Sequence, residues 1–185
     1  MQSVSQAIEI ASYITGTHRG RANQIARALI DAGVLPKSSG RDIKKIGAEK
    51  MLPLVAAIAM AEKVADAAAI AKDFEALPYE GKNDGRTLSD IFAAIMKRDG
   101  AWKSAEIEFS KQASGYAATI YGCITNDNGD EIEASFPFWR SRSWGHFSKT
   151  SFTISAEGVD VMRNLFARTD VEGMSFSLST GAGQE

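Results

Sequence analysis

Ile120-Tyr121-Gly122-Cys123-Ile124-Thr125-Asn126-Asp127-Asn128-Gly129-Asp130-Glu131-Ile132-Glu133-Ala134-Ser135-Phe136 sets β-type residues on both sides of a cluster of Asn, Asp and Gly. Such a cluster supplies the positive-φ residues of a tight turn, so the stretch predicts a β-hairpin with strands over 116–125 and 131–138. Ile107 to Phe109 and Ser151 to Ile154 are two further β-type runs flanking it. Together these runs predict an antiparallel sheet. Ser155 then stands as the N-cap of a helix in which Val159, Met162, Leu165 and Phe166 share one face. Met174, Phe176 and Leu178 alternate as a candidate edge strand, and Ser179 to Glu185 reads as a loose tail.

Upstream the period changes from two to that of a helix. Thr87 with Asp90 three residues on has the form of a capping box, Leu88, Ile91, Phe92 and Ile95 repeat at helical spacing, and Gly100 follows. At the N-terminus Val4, Ala7, Ile8, Ala11 and Ile14 make one apolar stripe, with Ser3 or Ser5 as cap and Gly16 beyond the end. A second helix is expected over Ala22 to Ala32, where Ile25, Ala26, Leu29 and Ile30 face inward and Gly33 serves as C-cap. Pro36 and Gly40 then forbid a continuous helix, leaving an ordered basic loop anchored by Val34 and Leu35. A third helix runs from Ala48 to Met60, with Pro53 tolerable only near its first turn, and the Ala-rich stretch to Ala71 either continues it or forms a fourth.

These elements make the expected fold class α+β: an all-α, helix-turn-helix-like N-terminal bundle followed by an antiparallel sheet with helices. The expected domains are 1–78, a basic helical DNA-binding domain, and 87–178, an α+β dimerisation or partner-binding domain. Residues 79–86 read as the linker and 179–185 as a flexible tail. Of the 185 residues 44% are hydrophobic and 24% charged, enough apolar surface to build a core and to exclude wholesale disorder. Cys123 is the only cysteine, which excludes an intramolecular disulfide framework and a multi-thiolate metal site. No basic segment followed by an apolar run opens the chain, and no stretch approaches the roughly 20 continuous apolar residues of a membrane span. A cytoplasmic protein with no membrane partner is the expectation.

The net charge of -2 hides an asymmetry. Thr17 to Lys50 holds eight Lys/Arg against three Asp/Glu, a local net of +5, so the rest of the chain sums to -7. DNA affinity comes largely from phosphate neutralisation, and bases are read by Arg, Asn or Gln at the exposed start of a helix in the major groove. Arg19 and Arg21 precede the second helix, Asn23, Gln24 and Arg27 occupy its first turns, and Lys37, Arg41, Lys44 and Lys45 follow in the loop. These nine residues are the candidate DNA-binding set, against the plainer reading of a solvated bundle face.

Ala22-Asn23-Gln24-Ile25-Ala26-Arg27-Ala28-Leu29-Ile30-Asp31-Ala32-Gly33-Val34-Leu35-Pro36-Lys37 resembles the N-terminal region of phage-type helix-turn-helix proteins, the regulators and small terminase subunits. In those proteins a helix ending in Ala-Gly-Val/Leu-Leu-Pro leads into a basic Ser/Gly loop. The likeness spans about Ser3 to Ile58. It implies duplex DNA as partner and leaves open which helix enters the groove.

The densest aromatic and basic run is Phe136 to Phe147, from which Trp139, Arg140, Arg142 and Trp144 are candidates for partner binding. Filling of the sheet core by alternate residues of that run is the competing reading. His18 and His146 have no neighbouring pair of metal ligands, and Cys123 in an apolar strand reads as a buried inert thiol. Glu106, Glu108, Glu131 and Glu133 stand at alternate strand positions and read as a solvated polar face. No phosphate loop, dinucleotide fingerprint or nucleophile elbow is present, so neither an enzyme nor a cofactor is expected. The expected function is a phage or prophage-type transcriptional regulator acting as a homodimer or higher oligomer. The alternatives are a protein-interaction module that inhibits a host nucleoprotein complex, and a DNA-packaging small subunit.

Overall fold

A computed structural model describes residues 2–39, 42–79, 85–97, 102–112, 115–126, 128–139 and 147–167. Ser3 opens α1 (Val4–Thr15) through a capping box: its hydroxyl accepts from the Gln6 amide while the Gln6 side chain accepts from the Ser3 amide. Gly16, at φ 64°, closes the helix in the left-handed region, and Thr17 and His18 complete a three-residue turn into α2 (Arg19–Asp31). α2 starts three residues before its sequence-predicted first residue because His18 caps it, its Nδ1 accepting from the Gly20 amide at 3.1 Å. The other end is a Schellman turn. Val34 N–H reaches the Leu29 carbonyl and Gly33 N–H the Ile30 carbonyl, with Gly33 at φ 73°.

The chain beyond Val34 and Leu35, both buried, returns to the N-terminus, where Lys45–Ile46 (β2) pairs antiparallel with Gln2–Ser3 (β1). α3 (Ala48–Met60) is buried on nearly every side, from Met51 through Ile58, and is the axis of the helical layer. Pro53 is its sixth residue, a turn later than expected; lacking an N–H, it leaves the Glu49 carbonyl without its helical donor, yet the helix continues. A 3-10 turn at Val64–Asp66 separates α3 from α4 (Ala67–Glu75), so the alanine-rich stretch forms a fourth helix. α5 (Leu88–Lys97) begins at the expected box, Thr87 and Asp90 exchanging hydrogen bonds.

The sheet comprises β3 (Trp102–Gln112), β4 (Gly115–Thr125), β5 (Glu131–Trp139) and β6 (Phe147–Ile154), all neighbours antiparallel in the order β5-β4-β3-β6. Three hairpin-linked strands followed by a fourth beside the first is the Greek-key order. The Asn126 side chain accepts from the amides of Asn128 and Asp130 and so builds the expected turn, with Gly129 at φ 87°. The fold is α+β. β3 is far longer than its three-residue sequence signal. Its first residue, Trp102, reads as core only in the folded chain, where its ring lies over Gly122 and contacts Phe136 at 5.1 Å.

One face of the sheet, with Ile107, Phe109, Ile120, Phe138 and Ile154, is closed by the helices. Phe74 of α4 meets Phe109 edge-on and Tyr116 obliquely, each with centroids 5.1 Å apart. α6 (Ala156–Ala167), with Ser155 capping the Gly158 amide, adds Val159 and Met162. Arg163, 2% exposed, donates from Nε to the Ile95 carbonyl and from Nη1 to Lys103 O and Asp160 Oδ1, tying α6 to α5 and β3. One hydrophobic core therefore runs through both halves of the chain. At the two ends of the expected linker, Tyr79 pairs with Phe138 and packs on Phe136, and Leu88 N–H bonds to the Leu77 carbonyl. The physical reason is that the inner surface of α3 and α4 is apolar and the sheet is what covers it. The expected strand at 174–178 and the tail lie outside the described residues.

Candidate nucleic-acid interface

α2 divides cleanly around its circumference. Ala22, Ile25, Ala26 and Leu29 are buried, while Asn23, Gln24, Arg27 and Asp31 face solvent at i, i+3 and i+4 spacing. This exposed stripe follows the three-residue Gly16-Thr17-His18 turn, which is held rigid: the Ser12 hydroxyl donates to the Thr17 carbonyl at 2.6 Å and the Thr17 amide donates to Thr15 Oγ1. Arg27 takes part in no ion pair among the described residues.

The two arginines at the helix start have different surroundings. Arg19 is exposed and lies 3.5 Å from Glu9 of α1, a contact that solvent keeps weak. Arg21 is half buried, and its Nη2 donates to the carbonyls of Ala61 and Glu62 at 2.7 and 2.8 Å. Those carbonyls sit just past the end of α3, where helical acceptors lack partners and a cation is favoured. Arg21 is thus a clamp between α2 and the segment that follows α3.

Beyond α2, Lys37, Lys44 and Lys45 are exposed on the loop, with Lys44 Nζ 2.7 Å from Asp42. Arg41 lies outside the described residues. The structure also places Tyr13, 62% exposed, one turn beyond Glu9 on α1, and Ile43, 65% exposed, inside the basic loop. Neither was singled out from the sequence. Tyr13 falls in an apolar stripe by type but not by helical position, and an isolated Ile in a loop has no periodicity to betray exposure.

The second polar surface is the outer face of the sheet. The strand register sets Glu106 opposite Tyr121 and Tyr121 opposite Ser135, and likewise Glu108, Thr119 and Pro137. Cys123 lies between Ser104 and Glu133, half exposed rather than buried, with Sγ 3.9 Å from Glu131 Oε2. The expected inert core thiol is therefore corrected to one on the open face: it falls on the parity of Glu133, opposite to that of Ile120. Lys103 Nζ lies 3.8 Å from Glu131, and the Tyr121 hydroxyl donates to Glu108.

Trp139 ends β5 half buried, opposite Ala117. Arg140, Arg142 and Trp144 lie outside the described residues. Among the described residues no cluster of three His, Cys, Asp or Glu can hold a metal, and no helix is long and apolar enough to cross a membrane. No family model, curated protein or solved structure matches the chain.

Proposed function

We propose that this chain binds double-stranded DNA, with α2 in the major groove and the basic loop on the flanking phosphates, and that it acts as a regulator of phage or prophage type in the cytoplasm. The observation that carries the reading is the exposed stripe Asn23, Gln24 and Arg27 on the second helix of a helix-turn-helix pair, facing solvent with no partner for Arg27 among the described residues. Asn and Gln match the donor and acceptor pair of adenine, and Arg that of guanine. The choice of helix follows from burial: α3 is enclosed and cannot enter a groove, and the exposed side of α1 carries Glu9. A homodimer would let two copies of α2 read a palindromic site.

Fluorescence anisotropy with duplex DNA across a salt series tests this. Five cations, Arg19, Arg27, Lys37, Lys44 and Lys45, neutralising one phosphate each give a log–log salt slope of about -4.5. Arg27→Ala is expected to weaken binding and reduce the slope by about 1. Absence of duplex binding at low salt, or a slope near zero, contradicts the proposal. The open acidic sheet face favours one second reading, docking on a basic protein surface; in that case Glu106→Gln with Glu108→Gln impairs function while Arg27→Ala does not.

A further inference from the structure

Between α2 and β2 the described residues 32–39 and 42–44 carry one exposed large apolar side chain, Ile43, together with lysines and Asp42. The two ends of this loop are anchored in the core by Leu35 and Ile46, each 2% exposed. Between them Ser39 and Asp42 exchange backbone hydrogen bonds of 3.2 and 2.9 Å, and the Lys44 amide donates to the Ser38 hydroxyl at 3.0 Å. Lys45 is then fixed opposite Ser3 by the β1–β2 pairing. Ile43 has 65% of its surface exposed, more than any other large hydrophobic described; Asp42 and Lys44, ion-paired at 2.7 Å, stand on either side of it in the chain, and Lys37 and Lys45 are exposed on the same connection.

We infer that this loop enters the minor groove beside the site read by α2, with Ile43 as an apolar wedge against the base steps. The inference rests on the DNA reading above and adds to it a second groove and a deformation of the duplex. The connection leaves α2 at Asp31, one turn beyond Arg27. A single isoleucine suits a cleft about 6 Å wide, which admits one side chain and is lined by phosphates that the lysines meet. It is far too small for a protein interface, which buries roughly 800 Å² per partner. Apolar side chains that insert between base steps partly unstack them and kink the duplex by about 20° or more.

The test uses the full chain with a duplex of about 20 base pairs, end-labelled for energy transfer so that affinity and bending are read together. Wild type is expected to bend the duplex. Ile43→Ser is expected to bind it about tenfold more weakly, because the apolar surface is no longer buried, and without the bend. Its salt slope and its affinity for a single-stranded oligonucleotide are expected to match wild type, and Ile43→Leu to restore both affinity and bend. Salt-dependent duplex binding by wild type with affinity and bending unaltered in Ile43→Ser overturns the wedge while leaving the DNA reading intact. Failure of wild type to bind duplex at low salt removes the DNA reading first and the wedge with it. Loss in Ile43→Ser of binding to vesicles of anionic phospholipid, with duplex binding unchanged, also overturns the wedge and assigns the loop to a lipid surface.

Discussion

The outer side of the helical layer and the outer face of the sheet are both polar, yet they are built in opposite ways. On α2 and its loop, Arg27, Lys37 and Lys45 stand exposed without carboxylate partners among the described residues, whereas Glu106, Glu108 and Glu133 line the open sheet face at strand spacing. The chain's net charge of -2 describes neither surface. Within about 10 Å, the screening length at 0.1 M salt, a ligand experiences the local charges alone. The proposed reading therefore expects a polyanion on the helical side and none on the sheet face, with the position of charge on the fold deciding more than its total.

The largest expected effect comes from breaking the contact that holds the two surfaces in one body. Phe74→Ala removes the ring that α4 sets against Phe109 and Tyr116 and is expected to cost about 3–5 kcal/mol. Urea unfolding followed by Trp fluorescence and by far-UV circular dichroism should show coincident transitions in wild type, since one core serves both halves. Two separated transitions would split the molecule at 79–86. Next comes the contrast of two arginines on one helix. Arg21→Ala leaves the carbonyls of Ala61 and Glu62 without their donor and is expected to lower stability by about 1–3 kcal/mol. Arg27→Ala is expected to stay within about 0.5 kcal/mol of wild type, because the side chain is solvated.

Carboxylates divide in the same manner. The Thr87 backbone amide, and then its hydroxyl, hold the Asp90 carboxyl below its ordinary 3.8. A lowered pKa means stability that is fully present above the unfolded value and is lost as pH falls through the folded one. Asp90→Ala is therefore expected to cost about 1 kcal/mol at pH 7, with the difference from wild type closing below about pH 4 in thermal melts. The smallest effect is expected at the open face. Glu106→Gln with Glu108→Gln should change stability by less than about 0.5 kcal/mol and leave the DNA salt slope unaltered. A changed slope would place phosphates on the sheet.

Local chemistry made much of this fold legible. Ser3, Gly33, the Asn126–Asp130 turn and the Thr87–Asp90 box each act on residues within about one turn, and each appears where its neighbours implied. The start of α2 was missed because His18 caps through a ring nitrogen, an acceptor that cap statistics do not favour. The role of Arg21 depends on carbonyls forty residues away, and that of Trp102 on the missing side chain of Gly122. No local pattern encodes either. The shared core was hidden for a related reason: Gly81-Lys82-Asn83-Asp84-Gly85 has the composition of a linker, while Tyr79 just before it is fixed by aromatic contacts from β5. In the candidate site the cations were visible and their division into clamp and contact was not, because type and spacing are the same for both.

Amide chemical-shift mapping on the full chain during titration with duplex DNA tests the central claim most directly. Perturbations are expected to concentrate at 19–27 and 37–46, with the open-face positions 106, 108, 121 and 133 unmoved. Perturbations centred on the sheet face, or none at saturating duplex, would contradict it.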